Sequence, residues 1–370
     1  MTAEPPLVVQ TLDIPSDHLQ KAHERGDIRL RVWKPSGDHA HLTSAPREWV
    51  LENVPGASAL LVLLQTRVDD ELLDRAGPSL KVVSTMSVGF DHIDLEACAK
   101  HNVRVGYTPR VLTSAVADST VMLALMVMRH ALPASRLVTS GQWPTTPIRP
   151  LTLTGPSIEG KTVGFLGFGD IAQTVARRMM SFRPKRFVYA TSKPKPFDVH
   201  SKTFQPLVDD VLAAYQSAHG RLPVEVENVP DVGAMASEAD VLVVLANYTS
   251  STHHIINADV LARMKKTAYL VNIARGPLVD TDALVEALKR DELAGAALDV
   301  LEGEPNVGKD HPLLTKELED KVVLLPHVGS ATVEARRAMA DYAELNVLGA
   351  LHLRRDGDAG AFCAEVALPK

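Results

Sequence analysis

Cysteine is scarce in this chain. Only 2 of its 370 residues are cysteines, Cys98 and Cys363. They have neither the paired spacing of a zinc site nor the look of a disulfide framework, which points to a reducing compartment and no metal. An excess of positive charge is also missing. Lys and Arg number 39 against 45 Asp and Glu, a formal net charge of −6, so there is no electrostatic footprint for nucleic acid. No apolar run is long enough to span a bilayer. The first Lys or Arg is Lys21, after Glu4, Asp13 and Asp17, against a secretory or mitochondrial leader. The terminal Leu368-Pro369-Lys370 is not the Ser-Lys-Leu peroxisomal signal. A cytoplasmic protein without nucleic-acid or membrane partners is expected. Internal repeats and low-complexity tracts are absent as well.

What remains is ordinary globular composition, 45% hydrophobic and 23% charged, in a chain long enough for two domains with cores of their own. Short apolar runs at 7–12, 29–33, 59–64, 81–86 and 103–107 alternate with helix-like segments such as 69–76 and 94–101. Near-continuous apolar runs predict a parallel sheet buried on both faces, and the alternation predicts a doubly wound α/β domain. A long apolar helix is then expected from Ala115 to about His130, capped by Thr113 or Ser114 and ended by Pro133. Residues 134–158, with Gly141, Trp143 and several prolines, read as irregular: a surface connection or an arm for a partner subunit.

Alternation resumes at 161. Strands are predicted at 162–166, 186–190, 224–228, 241–246, 268–273, 295–300 and 322–325, with helices near 170–181, 257–265, 281–290 and 332–353. This is a second, larger doubly wound domain, whose last helix is expected to return to the first. Residues 197–233 exceed a short connection. Phe204, Leu207, Val208, Val211, Leu212 and Tyr215 recur at helical spacing, predicting a packing helix over 205–216 with Pro206 in its first turn.

The stretch at 161–172, KTVGFLGFGDIA, carries the first functional signal. A buried strand enters Gly167-Phe168-Gly169, and Asp170-Ile171-Ala172 opens a helix. In that context a G-x-G-x-x-A pattern reads as a dinucleotide-binding turn. Gly167 permits the turn, Gly169 lets a pyrophosphate approach the backbone, and the helix N-terminus favours its charge. An acid about twenty residues on would bind the ribose diol of NAD. Here the second strand instead runs into Thr191-Ser192-Lys193-Pro194-Lys195. Ser192, Lys193 and Lys195 would hydrogen-bond and neutralise a 2′-phosphate, so NADP(H) is expected. NAD(H) beside a merely solvated basic turn is the alternative.

Three further residues follow predicted strand ends, where open α/β sheets bind ligands. These are Arg275 after 270–273, Glu304 after 296–300 and His327 after 322–325. Singly, each has a dull explanation: a surface ion pair, a solvated turn, a capped carbonyl. Together they make a coherent chemistry. An arginine fork holds a carboxylate and polarises an adjacent carbonyl. A histidine protonates the carbonyl oxygen as hydride arrives, and a carboxylate orients that histidine.

These residues, in this order, resemble the D-isomer-specific 2-hydroxyacid dehydrogenases, and within them most of all the glyoxylate/hydroxypyruvate reductases. The strings 84–92 (STMSVGFDH), 104–109 (RVGYTP), 186–189 (RFVY) and 325–332 (LPHVGSAT) read almost as that subfamily writes them. The resemblance implies a flavodoxin-like substrate domain over 1–110 and 334–370. It implies a Rossmann-like cofactor domain over 111–333, with an inserted segment at 197–233 and an interdomain cleft. It implies NADPH-dependent reduction of glyoxylate to glycolate and of hydroxypyruvate to D-glycerate by a homodimer built on the long helix and the 134–158 arm. Arg275, Glu304 and His327 become the catalytic set. Val88, Gly89, Arg275 and Ser330 meet the substrate. Gly167, Gly169, Asp170, Ile171, Ser192, Lys193, Lys195, Asn247, Ile273, Asp299 and Gly329 meet the cofactor.

Three departures stand out. Thr145 and Thr146 occupy the neighbourhood where mammalian-type reductases carry a second tryptophan. Ser192 stands where those enzymes place an arginine, and the inserted helix lies on the adenosine side. Glu304 disfavours the formate dehydrogenase branch, which has Gln there. A D-lactate type dehydrogenase and a dinucleotide-gated corepressor-like module are the alternatives.

Overall fold

The computed structural model describes residues 4–193, 195–353 and 362–369. The chain divides into two compact units, one formed by Met1–Leu112 with Ala331–Lys370 and the other by Thr113–Ser330. The first contains five parallel strands, β1 (Leu7–Gln10), β2 (Arg29–Val32), β3 (Ala57–Val62), β4 (Val82–Thr85) and β5 (Arg104–Gly106), in the order β2-β1-β3-β4-β5. That is the flavodoxin-like winding. The second contains seven, β6 (Thr162–Leu166), β7 (Arg186–Ala190), β8 (Glu225–Asn228), β9 (Val241–Val244), β10 (Tyr269–Asn272), β11 (Gly295–Leu298) and β12 (Val322–Leu324). Their order, β12-β11-β10-β9-β6-β7-β8, reverses direction at β6, as in a Rossmann sheet. All twelve stretches predicted as strands are strands.

Central strands are buried along their whole length, as β4, β6, β9 and β10 are. The edge strands β2 and β8 differ, alternating exposed and half-buried residues, because successive side chains point to opposite faces and one face of each is open to solvent. Most helices begin at a side-chain cap. Asp69 accepts from the Leu72 N–H, Asp94 from Ala97, Asp280 from Ala283 and Thr332 from Ala335, each satisfying an otherwise orphaned donor.

The final helix, Val333–Ala350, belongs to the first unit. The Ser84 hydroxyl donates to Ala343 O at 2.8 Å. Asn346, fully buried, donates to Tyr107 O at 3.0 Å and accepts from the N–H groups of Cys363 and Ala364. It thereby fastens the C-terminal segment along β5, where the Val366 N–H donates to Val105 O and Arg104 grips Glu365 with two bonds of 2.8 Å.

Two helix predictions need correction. The long helix runs Thr113–Met128, and a second helix, Ala131–Thr139, leaves it at 69°. The break is at His130, in the left-handed conformation with φ of 48°. Pro133 lies in the first turn of the second helix, where its missing N–H costs nothing; it does not end the first. The irregular stretch therefore starts at Ser140, apart from one 3-10 turn at Trp143–Thr145. In the insertion the helix is Asp210–His219, not 205–216. Asp209 caps it by accepting from Leu212. Phe204, Leu207 and Val208 are buried ahead of the helix, whereas Val211 on it is 70% exposed. No single helix among the described residues is long and apolar enough to cross a membrane.

Glu344 is a buried carboxylate in the first unit. It accepts from the Ser16 hydroxyl at 2.6 Å and the Leu19 N–H at 3.1 Å, yet burial still pushes its pKa above the ordinary value. A carboxyl raised in the folded state takes up a proton on folding. Its favourable contribution is complete below the unfolded value, about 4.3, and is lost as pH rises through the folded value. Glu344→Gln keeps one oxygen for both donors and removes the charge. Thermal unfolding of the two proteins from about pH 4 to 7 should show the variant gaining on the wild type as pH rises.

Candidate active site

Most of the candidate side chains stand in loops at the carboxyl ends of the second unit's strands. There the hydrogen-bonded ladder continues past the sheet. Leu245 N–H donates to Leu166 O, Asp299 N–H to Asn272 O, Leu325 N–H to Leu298 O, and His327 N–H to Asp299 O at 2.7 Å. These bonds knit the loops after β10, β11 and β12 into one surface.

His327 sits in the left-handed region, φ 54°. Its Nδ1 lies 2.7 Å from Glu304 Oε1. A carboxylate accepts only, so Nδ1 carries the hydrogen, and Nε2 is left as the atom that takes up or releases a proton. The other carboxylate oxygen of Glu304 accepts from the Leu301 N–H at 3.0 Å, which fixes the acid. Both side chains keep about a third of their surface open, 32% and 29%, so the pair is accessible to a small molecule.

Arg275 follows β10 and is half-buried. Its Nη1 donates to Ala274 O at 2.8 Å. Fully buried Asn272 shapes that turn, donating to Arg275 O and accepting from the Ala274 N–H. The Arg275 and Glu304 loops are in backbone contact. A Cβ on Gly276 would lie 2.2 Å from Leu301 C and 2.4 Å from Glu302 N.

Asp299 is 1% exposed. Its two oxygens accept from the Val328 and Gly329 N–H groups at 2.8 and 2.7 Å. Burial raises its pKa despite those bonds and the nearby His327. Ile273 lies against Gly329, its Cδ1 3.1 Å from where a Cβ would be. Asp299, Ile273 and Gly329 are thus brought together beside His327, and Ser330 is next in the chain. Val88 and Gly89 belong to the first unit, in the loop after β4. There the Thr85 hydroxyl meets Ser87 Oγ at 2.7 Å, and the Ser87 hydroxyl donates to Gly89 O at 2.6 Å.

The glycine turn has the form a dinucleotide requires. Gly167 has φ of 86°, and a Cβ there would meet the Ala246 backbone at 2.9 Å, next to Asn247. Around Gly169 the space a Cβ would fill has no neighbour within 4 Å. The helix it opens, Asp170–Met179, has no side-chain cap, unlike those noted above, so its first N–H groups are not claimed by one. Open space over uncapped amides beside the switch point fits a pyrophosphate. Ile171 is half-buried in the first turn. Ser192, Lys193 and Lys195 are exposed after β7; Pro194 lies outside the described residues.

Sequence reasoning missed a set of positioning contacts. His254 Nε2 donates to Glu302 Oε1 at 2.8 Å, the Thr281 hydroxyl donates to Glu302 Oε2 at 3.0 Å, and the His254 N–H donates to Pro277 O. These bonds join the Arg275 and Glu304 loops a second time. His253, His254 and Glu302 place three donor atoms within 4.8 Å of one another. The imidazoles, however, stack at 3.9 Å and 20°, so their lone pairs run alongside each other instead of converging on one ion. The His253-His254 pair and the acid two residues before Glu304 were the only signals in the sequence.

Comparison with known proteins gives the same picture. The model of the D-isomer specific 2-hydroxyacid dehydrogenase NAD binding domain matches residues 121–218 and 209–329, two segments that meet inside the insertion. Glyoxylate reductase of Thermofilum pendens is 40% identical over 94% of this chain and 91% of its own. Human glyoxylate reductase/hydroxypyruvate reductase is 38% identical over 83% and 84%. The NADPH-dependent glyoxylate/hydroxypyruvate reductase of Sinorhizobium meliloti, crystallised with NADP and malonate, superposes with a TM-score of 0.75. It is 30% identical over 98% of this chain and 97% of that one.

The contact at Gly276 is the point most sensitive to added volume. Gly276→Ala must separate two backbone segments. A loss of about 1–3 kcal/mol in unfolding free energy is expected by urea titration.

Proposed function

The chain belongs to the D-isomer-specific 2-hydroxyacid dehydrogenase family and is an NAD(P)-dependent oxidoreductase, and on that premise we propose that it reduces glyoxylate to glycolate and hydroxypyruvate to D-glycerate with NADPH. The observation that carries the reading is the His327–Glu304 bond of 2.7 Å, on a loop laced to the one bearing Arg275. Relatives named as glyoxylate reductases at 35–40% identity support the substrate class.

When bound, the reduced nicotinamide supplies the hydride that the keto carbon accepts. The protein's own residues do the rest. Arg275 pairs with the substrate carboxylate through its guanidinium fork and draws electron density from the neighbouring carbonyl. Ser330, next to Gly329 on the His327 loop, is assigned to the substrate. His327, protonated on both nitrogens, gives its Nε2 proton to the carbonyl oxygen as that oxygen gains charge. Glu304 holds the ring through Nδ1 and stabilises the imidazolium before transfer. Glycolate or D-glycerate leaves with neutral His327 behind it.

Gly167, Gly169, Asp170, Ile171 and Asn247 are assigned to the glycine-turn side of the cofactor, and Ile273, Asp299 and Gly329 to its nicotinamide side. Ser192, Lys193 and Lys195 are assigned to the 2′-phosphate. Two lysines and a hydroxyl, with no carboxylate among the described residues from 191 to 197, favour NADPH. We assign a homodimer to the end of the bent helix pair and the arm after it, where Val138, Trp143, Ile148 and Leu151 are 56%, 56%, 52% and 85% exposed.

Initial rates with glyoxylate, hydroxypyruvate and pyruvate, each with NADPH and with NADH, test the reading. Turnover of the first two with NADPH is expected. Preference for NADH removes the 192–195 assignment, and absence of ketoacid turnover removes the reductase reading in favour of a dinucleotide-gated binding module. His327→Asn is expected to lower kcat by about 10²–10⁴-fold in steady-state assays, with KM much less affected. Arg275→Lys keeps the charge but loses the fork, so its larger effect should fall on the ketoacid KM.

A further inference from the structure

We infer that the inserted segment is a cofactor-specificity element: it holds the lysine loop after β7 in the shape that recognises the 2′-phosphate. The inference rests on the NADPH reading above and deepens it.

The loop leaves the end of the second Rossmann strand, where the adenosine ribose of a dinucleotide comes to lie. Both its lysines are exposed. A long exposed lysine loses rotamer entropy when it is fixed on an anion, so a loop arranged beforehand binds a phosphate more tightly than a mobile one. Here part of the arrangement comes from the insertion, through Asn228 and Phe204. The Lys195 N–H donates to Asn228 Oδ1 at 3.0 Å, and Asn228 Nδ2 donates back to Tyr189 O at 3.0 Å. The Lys195 carbonyl accepts from the buried Tyr189 hydroxyl, so the backbone of this residue is held through both its N–H and its carbonyl. Closer to the strand, the Thr191 hydroxyl donates to Lys193 O at 2.6 Å. The Lys195 ammonium rests 5.5 Å from the ring centroid of Phe204, a buried residue of the insertion, within the range of a cation–π contact.

The same segment also reaches the glycine turn. Gln173, on the helix that the turn opens, is 1% exposed and donates to Phe168 O at 2.9 Å and to Thr203 O at 3.0 Å. Phe168, between the two glycines, stacks on Tyr189 with centroids 4.1 Å apart and faces Phe204 at 6.2 Å. Arg177 on that helix pairs with Asp209, the cap of the inserted helix. A mere cover for the sheet edge would need apolar contacts alone. Bonds to the backbone of Lys195 and to the glycine turn put this segment on the two places where a phosphorylated dinucleotide carries its charge.

Two variants test it, with Kd for NADPH and for NADH measured by nicotinamide fluorescence titration of the full-length protein. Asn228→Ala removes the acceptor of the Lys195 N–H and should raise the NADPH Kd about 3–10-fold. Phe204→Leu keeps an apolar residue in place, removes the ring under the ammonium and should raise it about 2–5-fold. The NADH Kd should stay within about 2-fold in both, and so serves as the control for folding. Equal weakening of both nucleotides, or no change in either, overturns the inference and leaves the cofactor reading intact. A wild-type protein that binds NADH at least as tightly as NADPH overturns the cofactor reading, and this inference with it.

Discussion

Asp299 is the residue on which the candidate site depends. Its N–H donates to Asn272 O, its carbonyl accepts from the His327 N–H, and its side chain accepts from Val328 and Gly329. One residue thus ties together the exits of three neighbouring strands. The bonds are buried, so water does not compete for them, and the cost of burying the carboxylate appears as its raised pKa. His327 can occupy a left-handed conformation because this network over-determines it. Glu304 then meets its Nδ1 at a fixed place. The geometry of the His327–Glu304 pair is therefore set by backbone hydrogen bonds, with side-chain packing secondary.

A second constraint acts through glycine. The Arg275 and Glu304 loops lie too close at Gly276 to admit a Cβ, and His254, Glu302 and Thr281 bind the same two loops from the other side. Arginine and carboxylate are held by elements that cannot drift apart independently. This matters for a reaction whose catalysis is mostly positioning and electrostatics. In the first unit the buried polar residues of the last helix play the corresponding part. Asn346 makes three bonds to backbone and so binds a distant part of the chain to β5.

The strand pattern was legible because a parallel sheet buried on both faces leaves an unmistakable mark, a short apolar run repeated at regular spacing. Where the pattern was weaker, the physical reason is visible. The edge strands β2 and β8 alternate because one face of each is open to solvent. Pro133 was misread because a proline at the start of a helix and one that ends a helix look alike in sequence, and only the φ of His130 distinguishes them. The inserted helix was placed too early because Phe204, Leu207 and Val208 are spaced like a helix face yet are buried by loop packing. The true start is the cap at Asp209.

Local periodicity and motif already make the two doubly wound sheets and the glycine turn with its helix legible in the sequence, and they put Arg275, Glu304 and His327 in loops after strands. Those features follow from local periodicity and from residues whose chemistry has few other uses in that order. Only the tertiary structure decided that Glu304 meets Nδ1 and leaves Nε2 for the proton, that Asp299 holds the His327 loop, and that His254 latches onto Glu302. It alone decided that Asn228 and Phe204 reach Lys195. Apart from Phe204 and Lys195, which are close in the chain, these are contacts between residues 23 to 48 positions apart. No local pattern encodes such pairs, because they exist only once parallel strands have set distant loops side by side.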